Sequence, residues 1–392
     1  MQQNNLRERL RRDGVLAEKV GFNPYYLVLQ SELDDPILIN EQQYINLAAN
    51  NYLGLAADPR VKAMAIQAVE EYGVSLCGTP IATGYVELFQ VIEQRLAKFV
   101  GLDAALLFPS CYQANQGVFL ALATEADLIL IDHYAHASLL EGVQATRAKV
   151  RPFLHNNLEH LTGILEKSAQ YEQIFIVTES VFSTEGTVAP LKEIVALAEK
   201  YQAIPVVDDS HGIGVLGEHG QGILEHCRIC DYQGIYTASL GKALASTGGM
   251  IAGRQDLIDY LRYYCSALVY STALPPASLG GLAGSLSVIE QEFSVLSQRL
   301  WHYKKVLAKT LQKMGFSIVT GAAPINSICT GTAVNTLSLA KQFFEQGIFT
   351  TPFIEPAVPP NQGKLRLIAG ANLSEATIEK VVAAIQKIGL AR

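Results

Sequence analysis

The sequence predicts an α/β protein: a mostly parallel central sheet covered by helices on both faces, followed by a smaller α+β domain at the C-terminal end. Three observations carry this. Between about residues 50 and 270, short β-branched runs alternate with longer amphipathic stretches, the pattern of parallel strands joined by crossover helices. Of the 392 residues 49% are hydrophobic, enough for one large buried core and a lesser one. Beyond about residue 275 the alternation stops, and a long helical stretch gives way to short strands and a final helix.

Three segments follow from this pattern: an N-terminal helical arm over 1–49, a large domain over 50–274 and a C-terminal small domain over 275–392. The arm sets Leu6, Leu10, Val15 and Leu16 between interleaved charges, which reads as a solvated helix that crosses a partner subunit or covers the core, and it leads into a short apolar strand at 36–39. The large domain should carry strands at 104–108, 128–131, 174–178, 204–208, 234–237 and 249–252, with a helix at 113–122 after the first of them. In the small domain, helix is expected from 278 to 291 and beyond, and again over 374–385, opened by Ser374 as a cap.

Bulk properties exclude several classes. A net charge of -7, with no basic block longer than Arg7-Glu-Arg-Leu-Arg-Arg12, argues against nucleic acid as a partner. The basic N-terminus is not followed by an apolar signal region, and no run approaches the roughly 18 to 20 apolar residues that cross a bilayer, so a cytoplasmic protein without integral membrane association is expected. Six cysteines (Cys77, Cys111, Cys227, Cys230, Cys265, Cys329) are scattered as in a reducing compartment. Cys227 and Cys230 have C-x-x-C spacing, but no second pair completes a tetrahedral set, so no metal is expected.

In such sheets ligands bind beyond the carboxyl ends of the strands, and the residues that stand there form a chemical set. Thr237-Ala-Ser-Leu-Gly-Lys242 places one lysine among small residues after a strand, a placement suited to a Schiff base. Asp208 and His211 close the strand before it at D-x-x-H spacing. Pyridoxal phosphate (PLP) requires such a pair: a lysine amine for its aldehyde, and a carboxylate that keeps its ring nitrogen protonated so that the ring acts as an electron sink. Lys242 and Asp208 take these roles. Ser110, Cys111 and Tyr112 lie where a strand turns into a helix, and amides at a helix start suit a phosphate, with Ser239 adding a hydroxyl. His136 follows another strand, from which its imidazole could stack on the cofactor face and touch substrate; Glu179 and Ser183 close a further strand, Ser183 within reach of the cofactor hydroxyl or the substrate. Arg366, flanked by apolar residues in a short strand, would be costly to bury without an anion such as an amino-acid carboxylate; a structural salt bridge is the other way to satisfy it.

With these residues in place, the chain resembles the α-oxoamine synthase family of fold-type I PLP-dependent transferases, which includes 8-amino-7-oxononanoate synthase, 2-amino-3-ketobutyrate CoA ligase, 5-aminolevulinate synthase and serine palmitoyltransferase. Asn50-Asn-Tyr-Leu-Gly-Leu55 is similar to the family's S-N-[DN]-Y-L-G-L, Tyr134-Ala-His-Ala-Ser-Leu139 to its histidine segment, and His155-Asn-Asn157 to its H-N-D or H-N-N turn. Glu179-Ser-Val-Phe-Ser183 falls in a stretch similar to T-E-G-V-F-S-M-D-G-D-x-A-P-L, Tyr270-Ser-Thr-Ala-Leu-Pro-Pro276 resembles F-S-T-S-L-P-P, and Leu365-Arg-Leu367 resembles L-R-[IL]. The resemblance implies a homodimer with shared active sites, Thr272 of one subunit reaching the other's phosphate. It implies that Lys242, His136 and Asp208 are catalytic, that Arg366 and Asn50 hold the amino-acid carboxylate, and that His211 tunes the cofactor near its phenolic oxygen. The implied reaction condenses an amino acid with an acyl thioester, carried by CoA or an acyl-carrier protein, with loss of carbon dioxide to give an α-amino ketone. An aminotransferase on the same fold and a non-catalytic partner subunit are the alternatives.

Departures from the family pattern bear on the acyl donor. Cys77-Gly-Thr-Pro-Ile-Ala-Thr-Gly84 has Pro80 where the family's G-[ST]-R-x-x-x-G has arginine, Phe89 replaces a histidine, and Asn372 stands in place of the histidine of [AS]-A-H-[TS]. A less polar acyl pocket follows, suited to neutral fatty acyl groups rather than pimeloyl or succinyl. Phe353-Ile-Glu-Pro-Ala-Val-Pro359 resembles the serine palmitoyltransferase branch in the same sense.

Overall fold

The computed structural model describes residues 20–319 and 321–391. The apolar positions expected to make the arm helical, Leu6, Leu10, Val15 and Leu16, lie outside the described residues. The chain forms two compact units. The larger holds Leu55–Phe182 and Thr187–Ser297; the smaller holds residues up to Gly54, the short Ser183–Gly186 stretch and residues from Gln298 onward. These units cut the chain differently from the segments read in sequence, because one unbroken helix, Pro276–Lys313, runs through the residue at which the units change.

The larger unit is built on seven strands: β3 (Ala104–Phe108), β4 (Leu128–Asp132), β5 (Lys149–Phe153), β6 (Ile174–Glu179), β7 (Ile204–Asp208), β8 (Ile235–Ser239) and β9 (Gly249–Gly253). Their order across the sheet is β3-β9-β8-β7-β6-β4-β5. The pairs from β8 to β5 are parallel, while β9 runs antiparallel to both of its neighbours. Strands β4, β6 and β9 are buried along their whole length, as expected of a sheet covered on both faces. Six of the seven coincide within two residues with the apolar runs of the sequence. The seventh, β5, was not expected: Lys149-Val-Arg-Pro-Phe153 is too polar to read as a buried strand, and it occupies the sheet edge, where one side needs no cover and a proline is tolerated. Phe119, Leu139, Val143, Ile258 and Leu261 pack helices onto the core under β3, β4 and β9.

The smaller unit holds two three-stranded sheets. One pairs β1 (Ile37–Ile39) with β2 (Gln42–Asn46) and β2 with β11 (Ile348–Phe349); the other is antiparallel, with β13 (Gly363–Leu367) between β10 (Asn326–Gly331) and β12 (Thr351–Phe353). Its core gathers Tyr303 and Leu307 from the helix Pro276–Lys313, Leu365 and Leu367 from β13, and Phe343, Val381 and Ile385 from helices Ala333–Glu345 and Glu375–Leu390. Ser374 caps the last helix as its sequence predicts, its hydroxyl accepting from the Thr377 amide at 3.1 Å. Among the described residues no helix is long and apolar enough to cross a membrane.

Candidate active site

Every strand of the large sheet that ends in a chemically useful residue ends on the same side. Glu179 closes β6, Asp208 closes β7 and Ser239 closes β8, with Ser110 two residues beyond β3 and His136 four beyond β4. Parallel strands force this, because their carboxyl ends share one edge. There they open onto a cavity of about 260 Å³ lined by Ser110, Cys111, Tyr112, His136, Glu179, Asp208, His211, Ser239 and Lys242, together with Ser138, Ser210, Gly241, Thr247 and Gly248.

The antiparallel strand β9 makes the lysine loop. Ser239 of β8 pairs with Gly249 of β9, so residues 240–248 must turn back on themselves, and the turn is tied by Leu240 N to Gly248 O at 3.0 Å and Ala245 N to Lys242 O at 3.0 Å. Lys242 is thereby presented half-buried at the cavity. Gly249 also faces the start of helix Cys111–Leu122, where an added Cβ would lie 2.3 Å from the Cys111 nitrogen. Only glycine lets the strand pass so close.

That helix begins two residues earlier than its apolar pattern suggests, because Ser110 is its cap: the hydroxyl accepts from the Gln113 amide at 3.1 Å. Cys111 and Tyr112 therefore occupy the first turn, where backbone amides have no partner inside the helix. The Tyr112 hydroxyl turns away to the Glu141 carboxylate. Burial, with the Asp208 charge, pushes the Cys111 thiol up, so it stays protonated.

Asp208 is almost fully buried, and both its oxygens are held by neutral donors: Oδ1 accepts from the Ser210 amide at 2.9 Å and Oδ2 from Asn115 Nδ2 at 2.7 Å. The His136 amide donates to Glu179 Oε1 at 2.5 Å, and burial together with Asp208 raises the Glu179 carboxyl well above its ordinary range. Burial moves His136 the other way, below its ordinary 6.5, with Asp208 opposing part of the shift. Its ring caps helix Ala137–Gln144 by accepting from the Ser138 amide.

The donor set fits PLP. A buried, hydrogen-bonded carboxylate suits a protonated ring nitrogen, first-turn amides beside a hydroxyl suit a phosphate, and the space a Gly249 side chain would fill lies directly in front of one of those amides.

Four of the residues chosen from sequence do not line this cavity. Thr272 is exposed, in the segment that follows the short helix Ser266–Val269. Ser183 belongs to the smaller unit, where its carbonyl accepts from Arg366 Nη1 at 3.2 Å. Arg366 sits in the central strand β13 between Ser327 and Thr351, 5% exposed, its guanidinium 4.9 Å from the Phe353 ring centre. Burial lowers its pKa, with the Tyr52 hydroxyl opposing. Asn50 lies between Leu47 and Tyr52, whose carbonyls accept from Ile368 and Ala371 just past the end of β13. Among the described residues Arg366 Nε, Ser327 Oγ and Asn50 Oδ1 are buried without a hydrogen-bond partner. Sequence reading did not single out Asn115, Ser138, Ser210 and Thr237; the one local sign was Asn115 itself, an amide beside Ala114 and Val118 on the buried face of its helix.

Comparison with known proteins adds three findings. The aminotransferase class I and II family matches residues 42–385. Over 373 residues the chain is 35% identical to 8-amino-7-oxononanoate synthase of Thermoanaerobacter pseudethanolicus, covering 95% of this chain and 94% of that protein. Among solved structures, serine palmitoyltransferase of Sphingomonas wittichii superposes with a TM-score of 0.92 at 28% identity, covering 97% and 96% of the two chains. A serine palmitoyltransferase variant from S. paucimobilis with a bound PLP–myriocin aldimine gives 0.92 at 26% identity, covering 97% of each.

Proposed function

As a member of the aminotransferase class I and II family, and within it of the α-oxoamine synthases, this chain is a PLP-dependent C-acyltransferase that condenses an amino acid with an acyl thioester; we propose that Lys242, His136 and Asp208 carry its chemistry and that its acyl donor is a neutral aliphatic one. The observation that carries the residue assignment is the single cavity onto which the amine, the imidazole and the buried carboxylate all open. When bound, PLP supplies an electron sink for charge developing at the amino acid's Cα. The Ser110, Cys111 and Tyr112 turn with Ser239 would hold its phosphate, Asp208 its ring nitrogen, and His136, Glu179 and His211 its remaining polar edge and face. Lys242 moves the Cα proton, and Arg366 with Asn50 takes the substrate carboxylate, a role that would satisfy the buried guanidinium nitrogen left without a partner. Cα then bonds to the thioester carbonyl carbon, the thiol leaves, and carbon dioxide is lost from the β-keto acid.

The acyl preference draws on a second cavity of about 300 Å³, lined by two of the three substituted positions, Pro80 and Phe89, and by Ile81, Tyr85, Leu268 and Val269. Its one cation, Arg262, is already paired with the buried Glu93 at 2.9 Å and is not free for a distal carboxylate. The reading also includes a homodimer, in which the exposed Thr272 serves the partner's phosphate, and cytoplasmic residence, in keeping with free cysteines throughout.

The test is a free-thiol release assay on the PLP-loaded protein, crossing amino acids with acyl-CoA and acyl-carrier-protein thioesters and recording product masses. Thiol release with a product equal to amino acid plus acyl group minus carbon dioxide is expected. Amino-group exchange without thiol release would establish the aminotransferase alternative, and faster turnover of pimeloyl or succinyl donors than of fatty acyl ones would remove the acyl preference.

A further inference from the structure

Asp208 and His136 are joined by a residue that touches neither solvent nor the cavity. Asn115 is fully buried; its Nδ2 lies 2.7 Å from Asp208 Oδ2 and 3.0 Å from Ser138 Oγ, and its Oδ1 accepts from the Thr237 hydroxyl at 2.7 Å. A carboxylate can only accept, so the atom facing Asp208 must be the amide nitrogen, and the orientation of the side chain is settled by chemistry. Both Nδ2 protons are then committed, one to Asp208 and one to Ser138. The backbone N–H of Ser138, which can only donate, approaches His136 Nδ1 at 3.2 Å, so the Ser138 hydroxyl, 2.8 Å from the same nitrogen, donates to it as well. A ring nitrogen that receives donors presents a lone pair, which leaves the proton of the neutral imidazole on Nε2.

We propose that Asn115 is a positioning residue that sets two features of the site at once: the placement of the Asp208 carboxylate and, through Ser138, the Nε2–H tautomer of His136. The geometry stands by itself; its consequence for the cofactor rests on the reading of the Lys242 cavity given above. A merely structural amide would have no reason to sit here, since an asparagine inside a helix is less favourable than most apolar residues and its burial costs desolvation unless every polar atom is paired. In Asn115 every polar atom is paired, and two of the partners lead directly to cavity residues.

The experiment compares the parent, Asn115→Ala and Ser138→Ala as full-length proteins, by PLP titration followed through the cofactor's absorbance and by ¹⁵N-histidine NMR of the imidazoles, with His136 assigned from a His136→Gln variant. Asn115→Ala should weaken PLP binding roughly ten- to hundredfold, the range for losing a hydrogen bond to a charged group, and should spread the His136 proton over both nitrogens. Ser138→Ala should leave PLP affinity within about threefold but shift the tautomer part of the way in the same direction, the remaining backbone N–H still favouring a proton on Nε2. An Asn115→Ala protein with parent PLP affinity and an unchanged His136 signature overturns the proposal. Should that variant not fold, Thr237→Val, which removes the hydroxyl orienting the amide, replaces it: unchanged PLP affinity there, with an unchanged tautomer in Ser138→Ala, is equally fatal. Failure of the parent itself to bind PLP would instead bring down the cofactor assignment, and the tautomer measurement would still decide the relay.

Discussion

The Lys242 cavity and the Arg366 strand put buried charge to use in opposite ways. Around Lys242 the polar groups satisfy one another: Asp208 is held by Asn115 and the Ser210 amide, Asn115 by Thr237, and His136 by Ser138. Around Arg366 they do not, since the guanidinium Nε, Ser327 Oγ and Asn50 Oδ1 are all buried without partners among the described residues. Such atoms cost free energy unless something arrives to pair with them. The first region is organised before any substrate binds, whereas the second is a set of donors and acceptors still to be filled.

Breaking the organised region should have the largest effect. Lys242→Ala is expected to lower thiol-release turnover by roughly a thousandfold or more, the scale of losing a group that both bonds covalently and moves a proton, with little change in thermal stability. Arg366→Met tests the opposite region and should split the readouts. The KM for the amino acid is expected to rise about a hundredfold with the loss of a charge-assisted pair, while PLP affinity holds. Urea unfolding of Arg366→Met should give a stability within about 1 kcal/mol of the parent or above it, because a poorly satisfied buried cation is exchanged for an apolar side chain. The corresponding deletion in the organised region, Asn115→Ala, should lose roughly 3 kcal/mol, since it strands several partners. Equal stability changes in these two variants would dissolve the contrast.

A smaller effect sharpens the contrast within the larger unit. Gly249→Ala puts a methyl 2.3 Å from the Cys111 nitrogen, so it should weaken PLP binding about tenfold and lower the melting temperature by several degrees. Calorimetry and PLP titration of the purified variant check both.

The smallest concerns pH. Asp209 is fully buried, its Oδ2 accepting from the Ile223 amide and the Tyr236 hydroxyl, both at 2.8 Å, and burial raises its carboxyl to about 7 from 3.8. A carboxyl whose folded pKa lies above its unfolded one binds its proton more tightly in the fold. Its contribution is therefore complete below pH 4 and disappears as pH rises through 7, by at most roughly 4 kcal/mol. Asp209→Asn keeps an acceptor without the charge, so the urea stability of the parent relative to this variant should decline between pH 4 and pH 8. A flat difference across that range would show that the carboxyl titrates alike in both states.

Much of this architecture can be read from local pattern. Six strands of the large sheet declare themselves as apolar runs because both faces are buried, and the residues that close them, Glu179, Asp208 and Ser239, stand next to those runs in sequence. Lys242 stood out for the same reason, as a cation where only small and apolar residues surround it. Edge strand β5 escaped because half of it faces away from the core, and polar residues there carry no penalty.

The sequence by itself therefore determined the sheet, its parallel sense and the identity of the residues at its carboxyl edge, since burial leaves a period that a short window of residues reveals. Tertiary structure alone decided how those residues are held. Asn115 meets Asp208 across 93 positions and Thr237 across 122, partnerships fixed by strand order and register. It also decided that β9 runs backward, which folds the lysine loop, and that Arg366 is left short of partners while Asp208 is not. Hydrogen bonds have exact geometry and no sequence period, so their pairing becomes visible only when the strands are set side by side.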